Sequence, residues 1–181
     1  KGSERQLLWQ TTLQLIAQFR NLFMHDLVSA IVEKLQLELS TALAASQQAH
    51  DSATHSENIA SNKYDTLAVE AAYLAHGQSM RIAELKQSIT LYQKFHRPTF
   101  SADSEIKLGA LVCIEDDQKR QRRLLIGPAS GGLRIDSERG SIQVITPTAP
   151  LGQALIGKRV SDEVEWQIDQ HKASFSVVVI E

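Results

Sequence analysis

Apolar residues recur every three or four positions through two segments of the chain, at about 26–50 and 66–95. In the second segment the steps between successive apolar or small positions are 4, 3, 4, 4, 3, 4 and 3, close to the alternation of a coiled-coil seam. The predicted seam consists of Val28, Ile31 or Val32, Leu35, Leu39, Ala42 or Leu43, and Ser46 in the first segment, and of Leu67, Ala71, Leu74, Gln78, Ile82, Leu85, Ile89 and Tyr92 in the second. Two such narrow stripes cannot enclose a globular core, so they predict an antiparallel coiled-coil hairpin over residues 26–97 with its tip at 51–66. The alternative is a larger helical bundle that includes residues 5–23.

The pattern changes near residue 100. Residues 1–103 contain two glycines and one proline, whereas the shorter span 104–181 contains seven glycines and three prolines. Pro98 marks a helix end, so we place a linker at 97–104. Two-residue alternation then predicts five strands, Ile106–Ile114, Gln121–Ile126, Ser141–Ile145, Val164–Ile168 and Phe175–Ile180, with a short helix at Pro150–Gly157. The expected fold class is α+β, with the helical hairpin followed by a small antiparallel sheet domain at 104–181.

Charge and cysteine content exclude several classes of protein. The formal net charge is −2, from 19 basic and 21 acidic residues, which gives no electrostatic footprint for nucleic acid. Cys113 is the single cysteine, so a disulfide within the chain is excluded and a reducing cytoplasm is expected. No uncharged apolar run reaches 18 residues, so no membrane partner is expected. His50 and His55 flank Asp51 with no standard ligand spacing, and we predict no intrinsic metal site.

One glycine interrupts the second arm of the hairpin. Gly77 costs helix stability there by roughly 1 kcal/mol relative to alanine. Either it permits close packing against a small residue such as Ala42, or it is a flexible point in the arm.

A longer motif lies in the C-terminal domain, between Val144 and Val164. It contains Thr146-Pro147, Leu151-Gly152, Ala154-Leu155, Gly157-Lys158 and Asp162-Glu163-Val164. This spacing resembles the C-terminal signature of the bacterial Gre transcription elongation factors (the GreA/GreB family), of which the chain looks like a divergent member. The resemblance covers residues 26–181, because the hairpin and the domain follow in the family's order. Residues 1–25 form a predicted helical extension outside it.

The resemblance implies a two-part protein that acts on RNA polymerase. A C-terminal domain with an FKBP-like fold would dock at the rim of the polymerase secondary channel, through a surface that includes the signature residues Pro150, Leu151 and Gly152. The coiled coil would enter the channel and bring tip acids to the polymerase active centre, where they help to position a Mg²⁺ ion. The chain itself would then be no enzyme, carry no cofactor, act as a monomer and contact the transcript RNA only indirectly.

The tip departs from the family pattern at one position. The family carries an acid, two intervening residues and then Glu-Asn, which match Thr54, Glu57 and Asn58 here. Because a threonine hydroxyl carries no charge, the paired-carboxylate site is incomplete. Asp51 and Asp65 are the candidates that could supply the second acid.

Three further tip residues and one basic cluster allow two interpretations each. Lys63, Tyr64 and Asp65 either cap the start of the second helix or contact polymerase or transcript. The cluster at 119–123 is either a solvated hairpin turn or a polymerase-facing surface. The chain as a whole is expected to stimulate transcript cleavage or to occupy the channel as a competitor. A coiled-coil interaction protein unrelated to polymerase is the alternative from a different class.

Overall fold

The chain divides into two compact units. The computed structural model describes residues 26–51, 66–101, 103–137, 140–168 and 171–181. One unit is Ile31–Lys94, and the other contains Phe95–Glu181 together with residues 26–30. The fold class predicted from the sequence, a helical hairpin before a small α+β sheet domain, is confirmed.

Two helices form the first unit. Helix α1 is helical over residues 26–51, and α2 spans Thr66–Gln93. They are joined across the hairpin by Arg81, whose Nη2 lies 2.8 Å from Oε2 of Glu38. The contact joins the middle of one helix to the middle of the other, as a hairpin with arms of similar length requires. Because both side chains are well exposed, the ion pair contributes little to stability and serves mainly to mark the register.

The predicted seam is buried at one end of the hairpin and only partly buried toward the tip. Five seam residues are buried: Ile31, Leu35, Leu85, Ile89 and Tyr92. Toward the tip the seam positions are only half-buried, at Leu39, Ala42, Ser46, Gln78 and Ile82. Leu74 was expected in the seam and is instead 63% exposed, so this part of the prediction is wrong. The side chains of Leu67 and Ala71 lie outside what the structure describes.

Gly77 is not explained by close packing. A Cβ built on this residue would have no atom within 4 Å, so the expected contact with a small residue such as Ala42 is wrong. The flexible-point interpretation stays a prediction.

Burial of Tyr92 predicts a loss of stability at alkaline pH. The side chain is 1% exposed, and desolvation raises the pKa of its phenol above the usual 10.0. Above pH 10.0 the unfolded chain therefore releases the phenol proton while the folded chain still keeps it. The contribution of Tyr92 to the free energy of unfolding is complete below pH 10.0 and is lost as the pH rises further. Between pH 10 and pH 11 we expect the wild type to lose about 1 kcal/mol of unfolding free energy from this group.

Paired tyrosine variants test this prediction. Tyr92→Phe should show a shallower fall in unfolding free energy above pH 10, measured by urea denaturation. Tyr73→Phe, at a side chain that is 75% exposed, should follow the wild type. Equal flattening in both variants would contradict the assignment to Tyr92.

The second unit is a six-stranded sheet with one short helix. The strands are β1 Leu111–Asp116, β2 Gln121–Ile126, β3 Arg134–Ser137, β4 Gly140–Ile145, β5 Glu163–Ile168 and β6 His171–Ile180, and helix α3 is Pro150–Leu155. Their spatial order is β3-β4-β2-β1-β6-β5. All neighbours are antiparallel except β2 and β4, which run parallel.

The core of this unit lies between one face of the sheet and α3. Its members alternate along the strands, as period-two patterning requires. They include Val112 and Ile114 of β1, Leu124 and Ile126 of β2, and Leu151 and Leu155 of α3. Phe100 and Ile106 belong to the same cluster, although they precede the first strand. The linker predicted at 97–104 therefore contributes a core residue.

Three features of the sheet differ from the sequence prediction. Strand β3 was missed, because four residues of which only Ile135 is apolar and buried give too short an alternation. The pairing of β2 with β4 is parallel where an all-antiparallel sheet was expected. Strand β1 starts at Leu111 and not at Ile106, since Gly109 adopts a φ of +92° and turns the chain.

Candidate functional site

The stretch that carries the family resemblance is organised around α3. Leu151 and Gly152 are buried, whereas Pro150 is exposed at the first turn. A Cβ on Gly152 would lie 2.1 Å from the carbonyl oxygen of Thr146 and 3.3 Å from Cγ2 of Ile145. The glycine therefore lets α3 pack directly on the backbone that leaves β4. Of the three predicted binding residues, Leu151 and Gly152 build the site from beneath, and Pro150 alone presents its side chain to solvent.

The rest of the signature fixes the chain after α3. Gly157 has a φ of +82°, and its N–H donates to the carbonyl of Ile106 at 2.8 Å. The side chain of Asp162 accepts a hydrogen bond from the backbone N–H of Arg159 at 2.8 Å, which closes a tight turn into β5. Val164 is then buried in the core. These positions hold the fold, and none of them forms a chemical site.

A groove of about 490 Å³ runs beside α3. Its walls include Arg122, Gly131, Gln143, Thr146, Pro150 and Trp166. They come from β2, from the loop between β2 and β3, from β4, from the start of α3 and from β5. The groove combines an apolar lining with one cation, one side-chain amide and one hydroxyl, which suits recognition of a protein surface better than catalysis.

Two aromatic residues support one end of this groove. Trp166 lies against Phe175, with ring centroids 6.3 Å apart, and Phe175 is part of the core. The guanidinium carbon of Arg122 is 5.9 Å from the centroid of Phe175. Its Nη2 also donates to Oε1 of Gln143 at 3.4 Å, across the two parallel strands. Sequence alternation places Trp166 on the same face as Val164, but only the folded sheet brings Arg122 and Trp166 into the lining of one groove.

Two of the four cations in the basic cluster at 119–123 are paired with acids. Lys119 Nζ lies 2.8 Å from Glu115, and Arg120 Nε lies 2.7 Å from Asp116. The bond from Lys119 lowers the pKa of Glu115, and the backbone N–H of Arg120 lowers that of Asp116. Lys119 and Arg120 are thus paired at a solvated turn, which favours the solvated-hairpin interpretation for that part of the cluster.

Among the described residues, no group of histidine, cysteine and acidic side chains is arranged to hold a metal ion. No described helix is long and apolar enough to cross a membrane.

Comparison with known proteins decides the family. Residues 101–181 match the family model for the transcription elongation factor GreA/GreB C-terminal domain. Transcription elongation factor GreA of Syntrophus aciditrophicus is 30% identical over 125 residues, which cover 68% of this chain and 71% of the relative. The chain belongs to the GreA/GreB family.

A second relative of this GreA/GreB family member matches over a shorter span, and a solved structure overlaps more of the chain. GreA of Novosphingobium aromaticivorans is 29% identical over 100 residues, and the match covers 55% of this chain and 59% of that protein. The chain thus spans less than two thirds of the length of this relative. The crystal structure of GreA factor homolog 1 (Gfh1) of Thermus thermophilus overlaps 83% of this chain and 94% of its own, at 20% identity and a TM-score of 0.35. At that TM-score the overlap supports no further conclusion.

The tip residues of this family member are mostly beyond the described part of the chain. Glu57, Asn58, Lys63, Tyr64 and Asp65 all lie outside the described residues, so their predicted roles stay predictions. Asp51 is described: it is exposed near the end of the described part of α1 and accepts a hydrogen bond from Nε2 of Gln47 at 2.8 Å. That bond orients its carboxylate from one helical turn earlier.

Proposed function

We propose that this chain is a transcription elongation factor that binds RNA polymerase and inserts its coiled coil into the secondary channel. There it modulates the cleavage of backtracked transcripts or elongation itself. The observation that carries the proposal is that one chain contains both a separate hairpin unit, Ile31–Lys94, and a domain that matches the GreA/GreB C-terminal model. Helix α2, of 28 residues, is about 42 Å long at 1.5 Å per residue, which gives the hairpin a long reach.

The chemistry in this proposal belongs to the polymerase. The factor has no active site and no cofactor of its own, and it works as a monomer in the cytoplasm. Its contribution is Glu57, with Asp51 as the compensating acid, placed near the Mg²⁺ ion of the polymerase active centre. Mg²⁺ prefers hard oxygen ligands and keeps several waters, so one or two carboxylates suffice to help position it. Asn58, Lys63, Tyr64 and Asp65 then contact the polymerase or the transcript RNA.

The groove beside α3 is the docking surface in this proposal. Leu151 and Gly152 shape it from below, while Pro150 and Arg122 face the partner. The polymerase segment that it accepts should combine an apolar residue with a hydrogen-bonding or acidic group, because the groove offers both kinds of contact.

Thr54 favours a second candidate function. A factor that lacks one of two tip acids can still fill the channel, but it assists metal positioning less. The chain would then act as a competitor of cleavage-stimulating Gre factors.

Binding to core RNA polymerase tests the proposal directly. The full chain should be retained on immobilised core polymerase at stoichiometric levels. Failure to bind would overturn the polymerase hypothesis and leave a coiled-coil interaction protein of another kind.

A substitution in the groove tests the docking surface. Gly131→Arg should weaken polymerase binding by about tenfold, since a Cβ there would lie 3.4 Å from Cγ2 of Thr146, which lines the groove. Gln118→Arg is the matched control, because it adds the same charge at the exposed β1–β2 turn. Equal affinities for the two variants, measured by titration of labelled protein, would exclude the groove as the docking surface.

A further inference from the structure

Arg122 lies on the side of the sheet that α3 covers, at the edge of the core. It pairs in register with Ile114 of β1, which belongs to the core between the sheet and α3. Directly opposed residues of antiparallel strands share one side of a sheet. Further along β2, Leu124 and Ile126 occupy that side and are fully buried, whereas Arg122 is half-buried and lines the groove beside α3. The inward-facing row of side chains in β2 therefore ends in a cation.

Arg122 is the one cation of the cluster at 119–123 that lines this groove. Lys119 and Arg120 are paired with acids at the β1–β2 turn. Arg123 points to the opposite side of the sheet, because successive residues of a strand alternate. Arg122 itself makes no ion pair with any carboxylate of the described residues.

The contacts of Arg122 are with neutral groups. Its Nη2 atom lies 3.4 Å from Oε1 of Gln143, which is a long hydrogen bond, and its Cζ atom lies 5.9 Å from the ring centroid of Phe175. Partial removal of a guanidinium from water costs free energy that a weak bond to an amide does not fully offset. A carboxylate binds a guanidinium through two parallel hydrogen bonds, and these are stronger than a bond to an amide. The guanidinium is thus positioned in the groove without being neutralised there.

The groove as a whole is cationic. Among the described residues that line it, Arg122 carries the only charge, and none is acidic. The start of α3 supplies an apolar wall, on which Ala149 is half-buried and Pro150 is exposed. A complementary partner places a negative charge opposite the cation and an apolar side chain opposite the wall.

We propose that the groove beside α3 recognises a segment of RNA polymerase that contains an aspartate or a glutamate, and that Arg122 determines this specificity. The carboxylate pairs with the guanidinium of Arg122, and an apolar side chain of the same segment packs on Ala149 and Pro150. This inference rests on the proposed docking of the groove to polymerase. It adds the chemical class of the docked segment and the residue that selects it.

Removal of the charge at position 122 tests the inference. Arg122→Gln keeps a side-chain donor beside Gln143 but removes the cation, and it should weaken binding to core polymerase by about tenfold or more. Lys119→Gln is the matched control, because it removes one positive charge from a side chain that is 83% exposed at the nearby turn. This control should bind within about twofold of the wild type. Titration of labelled protein onto immobilised core polymerase measures the affinities, and circular dichroism checks that each variant is folded.

Salt dependence separates the loss of an ion pair from the loss of shape. Between about 0.05 M and about 0.3 M salt, the affinity of the wild type should fall more steeply than that of Arg122→Gln, because salt screens a pair that only the wild type makes. Lys119→Gln should keep the wild-type slope. A folded Arg122→Gln with either the affinity or the salt slope of the wild type overturns the inference and leaves polymerase docking intact. Absence of binding by the wild type would instead overturn the proposed function itself.

A crosslink decides the matter if Arg122→Gln fails to fold. Arg122→Lys keeps the positive charge and places a primary amine in the groove. A water-soluble carbodiimide then joins this amine to a contacting carboxylate through an amide bond, with loss of water. A crosslink from position 122 to an aspartate or a glutamate of polymerase, mapped by mass spectrometry, supports the inference. A complex that forms without a crosslink at position 122 overturns it.

Discussion

Gly152→Ala is expected to unfold much of the C-terminal domain. Its Cβ would lie 2.1 Å from the carbonyl oxygen of Thr146, and that obstacle is backbone, which cannot rotate away as a side chain can. Overpacking in a core costs about 1–3 kcal/mol, and we expect this variant to reach or exceed the upper figure. For a small domain that is a large share of the total stability. Urea denaturation followed by circular dichroism and by tryptophan fluorescence measures the loss.

Gly77→Ala is the matched substitution in the other unit. No atom lies within 4 Å of a Cβ at this helical position, and the glycine is exposed. Alanine should therefore stabilise α2 by about 0.5–1 kcal/mol. A loss of stability at Gly77 as large as that at Gly152 would show that steric clash at Thr146 is not the cause.

Thr54→Asp is expected to raise transcript cleavage on a stalled, backtracked polymerase complex by about tenfold or more over the wild type. In the proposed function the substitution supplies the acid that the family pattern carries at this position, and tenfold corresponds to about 1.4 kcal/mol of the stabilisation that charge at a metal supplies. Ser61→Asp adds the same charge elsewhere in the tip and should not raise cleavage. The assay is single-turnover cleavage of a labelled transcript with saturating factor.

Glu57→Ala removes an acid from the tip, where Thr54→Asp adds one. It should abolish whatever stimulation the wild type gives, because Glu57 is the one acid that matches the family position. A wild type that does not stimulate cleavage but suppresses the action of a cleavage-stimulating Gre factor would establish the competitor function. Full stimulation by Glu57→Ala would remove this residue from the mechanism.

The sequence predicts the local elements of this protein well, because each is set by short-range periodicity. The seam from Gln78 to Tyr92 follows from spacing alone, as does α3 from its proline start. Leu74 breaks the pattern because its burial depends on the partner arm, which the spacing within one segment does not describe. The parallel β2–β4 pair could not be predicted, since alternation within a strand carries no information about its neighbour.

Less of the candidate site than of the local secondary structure could be predicted from the sequence. The Leu151-Gly152 pair is visible as a motif, yet its reason is the close approach of the Thr146 carbonyl, which only the folded chain shows. The groove joins Arg122 to Trp166 from strands β2 and β5, which are separated in the sheet by β1 and β6. Which distant strands contribute to one groove is decided by the topology of the sheet, and the sequence of a single strand carries no information about it.

The position of β6 has a consequence for synthesis of the chain on the ribosome. This strand is the last of the sheet to be translated, yet it lies inside the sheet, between β1 and β5. Five strands can emerge without completing the sheet, and β5 has no partner until residues 171–180 follow. The hairpin needs only contacts within residues 31–94, so it can fold first. During that interval core side chains such as Val112 and Leu124 lack their final partners, so we expect chaperones that bind apolar segments to recognise the nascent domain.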